Sequence, residues 1–333
     1  MPTTATRTTL SSVAAEAGVS LATVSKVVND KDDVAPATRE RVRRLLDQHH
    51  YTPPGRRRTT SRTVDLVMRA LDSEWAVEIM RGVTGGSELD VVVSTMPTET
   101  GPLEWAERLA AAGRAGVIVV TSEFTSAQKL VFQRARMPCV VVDPVDLPDP
   151  DVPSVGATNW GGGLAATRHL IQLGHRRIGV IGGPPALLCS RARIDGYRAA
   201  LEAAGLPFDP GLVRDGTFHH AGGYDAGIEL LELADRPTAV FAGSDEQAFG
   251  VIEAARVSGL SVPRDLSVVG FDDLPISRWA APPLTTVRQP LAEMGRVGIQ
   301  MLQALIEGRD VDTYHVELAT SLVVRASTAE PRP

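Results

Sequence analysis

From residue 64 onward, short apolar, β-branched runs recur between segments of helical character. This alternation restricts the fold more than any other feature of the chain. The runs are VDLVMRA, LDVVVST, AGVIVVT, PCVVVDP, RIGVIGGP, TAVFAGSD and LSVVGFDD. Between them lie Glu104–Ala112, Gly162–Leu173, Asp195–Ala204, Ala221–Ala234 and Gln247–Ser258. A strand that is apolar throughout, rather than at alternate positions, is covered on both faces. Helices from the intervening segments supply that cover, so the pattern predicts parallel, doubly wound sheets. The strands are too many for one compact mononucleotide-binding unit, and two α/β subdomains are expected. The chain is predicted to cross between them near Thr158, at Thr286–Gln289 and within VELATSLVVRAS. Three crossings make a hinged cleft, with ligands at the carboxyl ends of the strands.

The first 62 residues follow a different rule. Ser11–Ala17 reads as a short helix with Val13, Ala14 and Ala17 on one face, and Gly18 ends it as a left-handed residue. Ser20 caps a second helix, in which Val24, Val27 and Val28 fall on one face at helical spacing. Helix, glycine turn and second helix make a helix-turn-helix. The opposite face carries Ala22, Ser25, Lys26 and Asn29. Small side chains let a helix enter a major groove, hydroxyls and amides reach phosphates, and a lysine reaches base edges. A third helix opens at Pro36 and continues through Val42, Leu45, Leu46 and His49, with Arg39, Arg43 and Arg44 on its outer face.

Charge separates the same two regions. The 333-residue chain has net charge -6, but residues 1–62 hold eleven Lys and Arg against six Asp and Glu, and the rest holds 23 against 34. A basic head on an acidic body is expected where only the head meets a polyanion. Cys139 and Cys189 each lie beside an apolar run, without metal spacing, and read as buried, reduced thiols. Met1–Thr9 is polar and lacks the apolar core of an export signal, and no run has the length of a membrane span. A cytoplasmic protein is expected, with no membrane partner and no cofactor.

The stretch TLSSVAAEAGVSLATVSKVVND, continued by VAPATRERVRRLLDQHHYTP, resembles the headpiece of lactose-repressor-family (LacI-type) transcription factors. The resemblance implies that Leu21, Ala22 and Lys26 read bases and that Ser20, Thr23, Ser25 and Asn29 contact phosphates. After YTP the family places a hinge helix ending in a leucine that wedges into the minor groove. Here the stretch is PGRRRTTSRT, with Thr60 near the leucine position. A hydroxyl is a poor wedge. Arg56, Arg57, Arg58 and Arg62 are expected to contact the backbone or a narrow groove instead, and the segment otherwise reads as a solvated linker.

The body resembles the effector domain of the same family, which shares its fold with periplasmic sugar-binding proteins. The motifs that carry this are HLIQLGHRRIGVIGGP, SRARIDGYRAAL, TAVFAGSDEQAFGVIEAA and LSVVGFDDLPISRWAAPPLTTVRQP. The expected architecture is therefore an all-α helix-turn-helix headpiece and hinge over 8–62, followed by a periplasmic-binding-protein-like body over 63–333. Subdomain 1 takes approximately 63–157 and 288–318, and subdomain 2 approximately 158–287 and 319–329. Arg193 is expected to fork onto sugar hydroxyls, Asp272 to accept from them at a strand end, and Phe218 to stack. Ser244 stands where the family has asparagine, and Asp245 beside it either meets ligand or caps a helix. Asp143, Asp72 and Trp75 are expected to line the other subdomain. Trp160 is open between stacking and packing, whereas Trp279 is expected to pack. Gly85–Gly86 is expected to weaken the end of a helix that contributes to the family's dimer interface, by ~1 kcal/mol per glycine.

Enzymatic readings find little purchase. GVIGGPP lacks dinucleotide-binding spacing, and Pro184 and Pro185 remove amides that would cradle a phosphate. Neither a nucleophile elbow nor a Walker A run occurs, and His219–His220 is the one histidine pair near the predicted cleft. The expectation is a homodimeric regulator, predominantly a repressor, that binds a palindromic double-stranded operator and is released or engaged by a small ligand. A carbohydrate is favoured, and resemblance to regulators of high-GC actinobacteria points to a xylo- or cello-oligosaccharide. Purine-responsive co-repression and solute binding for transport are the alternatives, the latter at odds with the basic head.

Overall fold

The computed structural model describes residues 10–28, 34–48, 61–96, 101–121, 125–147 and 149–332. Two compact units emerge, residues 1–60 and 61–333. In the first, α1 (Leu10–Ala17), α2 (Leu21–Val28) and α3 (Pro36–Gln48) enclose a small core. That core is Val13, Ala14, Ala17, Val24, Val27 and Val42, which helical spacing selects, and Val34, which precedes α3 and which no period marks; Leu45 and Leu46 pack against it. Gly18 takes φ +65°, the left-handed conformation that turns the chain from α1 into α2.

The larger unit holds two six-stranded sheets. The first lobe is built from β1 (Thr63–Met68), α4 (Glu74–Gly85), β2 (Asp90–Thr95), α5 (Pro102–Ala111), β3 (Gly116–Val120), α6 (Ser126–Ala135), β4 (Cys139–Val142) and β5 (Ser154–Ala157). The second has α7 (Asn159–Gln172), β6 (Ile178–Gly182), α8 (Leu188–Ala203), β7 (Val213–Asp215), α9 (His220–Leu231), β8 (Ala239–Ala242), α10 (Asp245–Val257), β9 (Ser267–Asp272) and β10 (Thr285–Arg288). The chain then returns: α11 (Leu291–Ile306) packs on α4 and the first sheet, β11 (His315–Leu318) completes that sheet, and β12 (Ser321–Val323) completes the second.

Strand order is β11-β5-β4-β3-β1-β2 in one sheet and β12-β10-β9-β8-β6-β7 in the other. All pairings are parallel except β10 with β12. The buried runs of β1, β3, β6, β8 and β9 are the apolar runs of the sequence. Strands β5, β7, β11 and β12 are short and had no such run to mark them. The α8 helix begins seven residues before Asp195, because its first two turns, Leu188–Ile194, mix residue types and carry no clean periodicity.

The chain passes between sheets at Thr158, at Gln289–Pro290 and at Ala319–Thr320. Two crossings are tied together: the Thr320 amide donates to Thr158 Oγ1 over 2.9 Å, and the Thr320 hydroxyl donates to the Thr158 carbonyl over 3.1 Å. Gly85 and Gly86 do end α4, but Gly86 has a packing role. A Cβ there would lie 2.7 Å from the Ile299 side chain on α11, so the glycine admits that helix. Among the described residues no helix is long and apolar enough to cross a membrane.

Candidate functional site

In the head, the Ser20 hydroxyl accepts from the Thr23 amide at 3.1 Å and lies 2.9 Å from the Thr23 hydroxyl, capping α2. Burial of Val24 and Val27 turns Ala22 and Lys26 outward, while Thr23 and Ser25 are half-buried. Leu21 is half exposed at the first turn, an apolar side chain outside the head's core. The described part of the predicted reading face thus lies on one side of one helix. Asn29, Arg56, Arg57, Arg58 and Thr60 lie outside the described residues.

In the body, the site grows from the crossing of α7 and α8. A Cβ on Gly163 would sit 2.2 Å from the Arg193 carbonyl, and one on Gly196 would sit 2.2 Å from the Trp160 carbonyl. Only glycine lets the two backbones meet, and their contact sets Arg193 beside Asn159. The Arg193 side chain is 4% exposed. Its Nε donates to Asn159 Oδ1 at 2.8 Å, Nη2 donates to Gln289 Oε1 at 3.0 Å, and Nη1 donates to the Gly243 carbonyl. The guanidinium lies over the Phe271 ring, 3.7 Å from its centroid, and 5.2 Å from that of Phe218. Three of its five N–H groups are thus committed, and the plane is held by stacking.

Two carboxylates face this cation. Asp143 follows β4, Asp272 ends β9, and both are buried at the carboxyl ends of their strands. The Thr121 hydroxyl donates to Asp143 Oδ2 at 3.3 Å. Asp272 Oδ1 is buried and has no hydrogen-bond partner. Burial raises both carboxyls above the ordinary range, Asp272 well above, and Arg193 pulls each back. Thr121, Asp143 and Asp272 all have positive φ, at 43°, 53° and 121°. Such backbone costs ~1–3 kcal/mol per residue and gathers at binding sites.

The remaining expected residues have settings of their own. Ser244 caps α10, accepting from the Gln247 amide at 3.0 Å and donating to the Phe218 carbonyl at 2.7 Å. Asp245 is fully buried and accepts from the Leu274 amide at 2.8 Å, the Ser277 hydroxyl at 2.6 Å and the Thr286 hydroxyl. Both its oxygens are occupied, so it braces β10 and the turn after β9. Trp75 packs half-buried on the first lobe's core and Asp72 is exposed before α4. Trp160 is 49% exposed. Trp279 does not pack as expected: it is 81% exposed, because the 3-10 turn Pro275–Arg278 buries Ser277 and turns the tryptophan outward. Cys189 is buried and Cys139 only half so, and both are free.

Asn159, Gln289, Thr121 and Gln247 were missed by sequence reasoning. Each is an uncharged residue whose role depends on partners far along the chain. The lobes also touch beside the site: the Leu188 amide donates to the Val145 carbonyl at 2.8 Å, and Arg191 meets Asp146 at 3.1 Å. Among the described residues no group of three or more His, Cys, Asp or Glu is arranged to hold a metal.

A helix-turn-helix head on a two-lobed body, with a buried polar cluster at the strand ends, defines a DNA-binding regulator of ligand-responsive type. The family model for bacterial regulatory proteins of the lacI family matches residues 9–54, and that for the periplasmic binding protein-like domain matches residues 167–328. The HTH-type transcriptional regulator CelR of Thermobifida fusca is 36% identical, over 96% of this chain and 98% of its own length. The HTH-type transcriptional repressor PurR of Haemophilus influenzae is 33% identical over 96% of this chain and 98% of its own. Among solved structures, the complex of CelR with cellobiose superposes with TM-score 0.75 at 36% identity, covering 96% of this chain and all of that one. The lac repressor dimer bound to operator and the anti-inducer ONPF gives 0.70 at 27% identity, covering 97% and 99%. The chain belongs to the lacI family and is an HTH-type transcriptional regulator.

Proposed function

We propose that the protein is a homodimeric repressor that binds a palindromic operator through α2 and is controlled by a small saccharide held between its lobes. The observation that carries the saccharide is the unpartnered Asp272 Oδ1 beside Arg193, whose remaining N–H groups complete a donor–acceptor pair suited to vicinal hydroxyls. Asp143, with Trp75, Trp160 and Phe218, extends this wall, and Ser244 and Asp245 hold it from behind. The cellobiose complex of the CelR structure supports a disaccharide. The cleft is a binding site rather than a catalytic one, and action on operator DNA places the protein in the cytoplasm.

Dimerisation is supported by Val77 on α4 and by Val92 and Val93 on β2, apolar side chains left exposed on neighbouring elements. The β2 strand is also an edge strand of its sheet, with one side unpaired. The proposed units are the head and linker over 8–62 and the body over 63–333. Within the body the lobes divide near 157, 288 and 318. Ligand shifts the lobes toward one arrangement, the operator prefers one separation of the two heads, and the coupling is reciprocal.

Thermal melting of the full chain against neutral mono- and disaccharides and purines tests this, since binding to the native state raises the midpoint by mass action. A disaccharide is expected to raise it and Arg193→Ala to abolish the rise. A response to purines alone would refute the saccharide and leave the DNA-binding assignment intact.

A further inference from the structure

We propose that the cleft selects by charge: Glu246, with Asp72 and Glu74 opposite it, excludes anionic ligands, so the effector is an uncharged saccharide and not a phosphorylated or uronic one. The inference rests on the saccharide reading and names its chemical class.

The cleft collects carboxylates from both lobes. Asp72 and Glu74 follow the carboxyl end of β1, Asp143 follows β4, Asp272 ends β9, and Glu246 is the second residue of α10 after β8. They are near enough to act on one another. Asp72 and Glu74 repel the charge on Glu246, and Glu246 and Asp143 repel that on Asp272. Glu246 is held in place by His219, whose Nδ1 lies 3.2 Å from Oε2. The buried Asp272 Oδ1 has no partner in the protein and is left for a ligand. A ligand hydroxyl, donor and acceptor at once, meets the carboxyl in either protonation state, whereas a phosphate or carboxylate ion adds negative charge to the cleft.

Cations do not balance this set. Arg193 spends three N–H groups on Asn159, Gly243 and Gln289 and cannot present its full fork to an anion. Arg191 is turned to Asp146 and to the Pro185 and Ala186 carbonyls. Arg278, Arg288 and Arg325 converge instead on Asp273. Arg69 is exposed just past β1 and is one cation against the two similarly exposed acids Asp72 and Glu74 that follow it. An entering anion therefore meets a field of its own sign in a partly desolvated space.

Calorimetric titration of the full chain with matched pairs tests the rule: cellobiose against cellobiose 6-phosphate, and adenosine against adenosine monophosphate. The neutral member is expected to bind on the order of 100-fold tighter, and Glu246→Gln to cut that ratio about tenfold. Raising the salt concentration should shrink the wild-type ratio further, because the repulsion is screened. The Asp72→Asn, Glu74→Gln double variant carries the same expectation from the other lobe, should Glu246→Gln fold poorly. An anionic member that binds as tightly as its neutral partner overturns the proposal, as does a ratio that neither variant moves. Adenosine binding over its monophosphate, with cellobiose silent, keeps the charge rule and removes the saccharide. Silence from both pairs overturns both.

Discussion

Arg193 donates to Gln289 across 3.0 Å, joining the centre of α8 to one of the three strands of chain that cross between the lobes. Gln289 is buried, and its backbone N–H also donates to the Asp272 carbonyl at 3.3 Å. The residues expected to touch ligand are therefore tied directly to the hinge. Loss of the Gln289 side chain leaves an Arg193 donor unmet. Gln289→Ala is expected to cost about 1–3 kcal/mol of stability and to weaken effector binding. Urea unfolding and titration calorimetry on one preparation separate the two effects. Effector affinity equal to wild type would remove the link between hinge and site.

Stability should respond to pH through Asp245. Burial pushes its carboxyl up to about 7, against the hydrogen bonds from Ser277, Thr286 and Leu274. An acid whose folded value lies above its unfolded one binds more protons when folded. Its stabilisation is present at low pH and is lost as pH rises toward and through 7. Asp143 and Asp272 shift in the same direction. His169 and His175, lowered by burial, oppose this below their ordinary range. The difference between wild type and Asp245→Asn isolates the carboxylate. Denaturant midpoints between pH 5 and 8 are expected to fall more steeply for wild type, and parallel curves would count against a raised Asp245.

Val77 on α4 and Val92 and Val93 on the edge strand β2 are exposed apolar side chains, and they predict a protein–protein contact. A charge there is costly only if the face is covered. Val92→Glu is expected to shift sedimentation from dimer to monomer and to weaken operator binding by at least about tenfold, through loss of the second head. A dimer undisturbed by the substitution would place the contact elsewhere.

Lys26 projects from the described face of α2. Lys26→Ala is expected to weaken operator binding by about 1–3 kcal/mol and to relax sequence preference at one base pair, as befits a base contact. A uniform loss across sequences, with the salt slope reduced by about 1, would reassign it to the phosphate backbone.

What the sequence determined by itself is what depends on near neighbours. Val24 and Val27 three residues apart bury one helix face, Gly18 turns the chain before it, and VVGFD is apolar enough to be covered on both sides. Hydrophobic period and backbone permission act within a few residues and can be read there. The binding cluster depends on something else. Arg193 meets Asn159, Gly243 and Gln289 at separations of 34, 50 and 96 residues. No local pattern marks an asparagine or a glutamine as the anchor of a distant guanidinium. Nor does Asp245 in SDEQ differ, by its neighbours, from a ligand-facing aspartate; its burial under Leu274, Ser277 and Thr286 decides that. Only the tertiary structure, by bringing strand ends and helix crossings together, determines which polar atoms are satisfied by the protein and which, like Asp272 Oδ1, are left for something else.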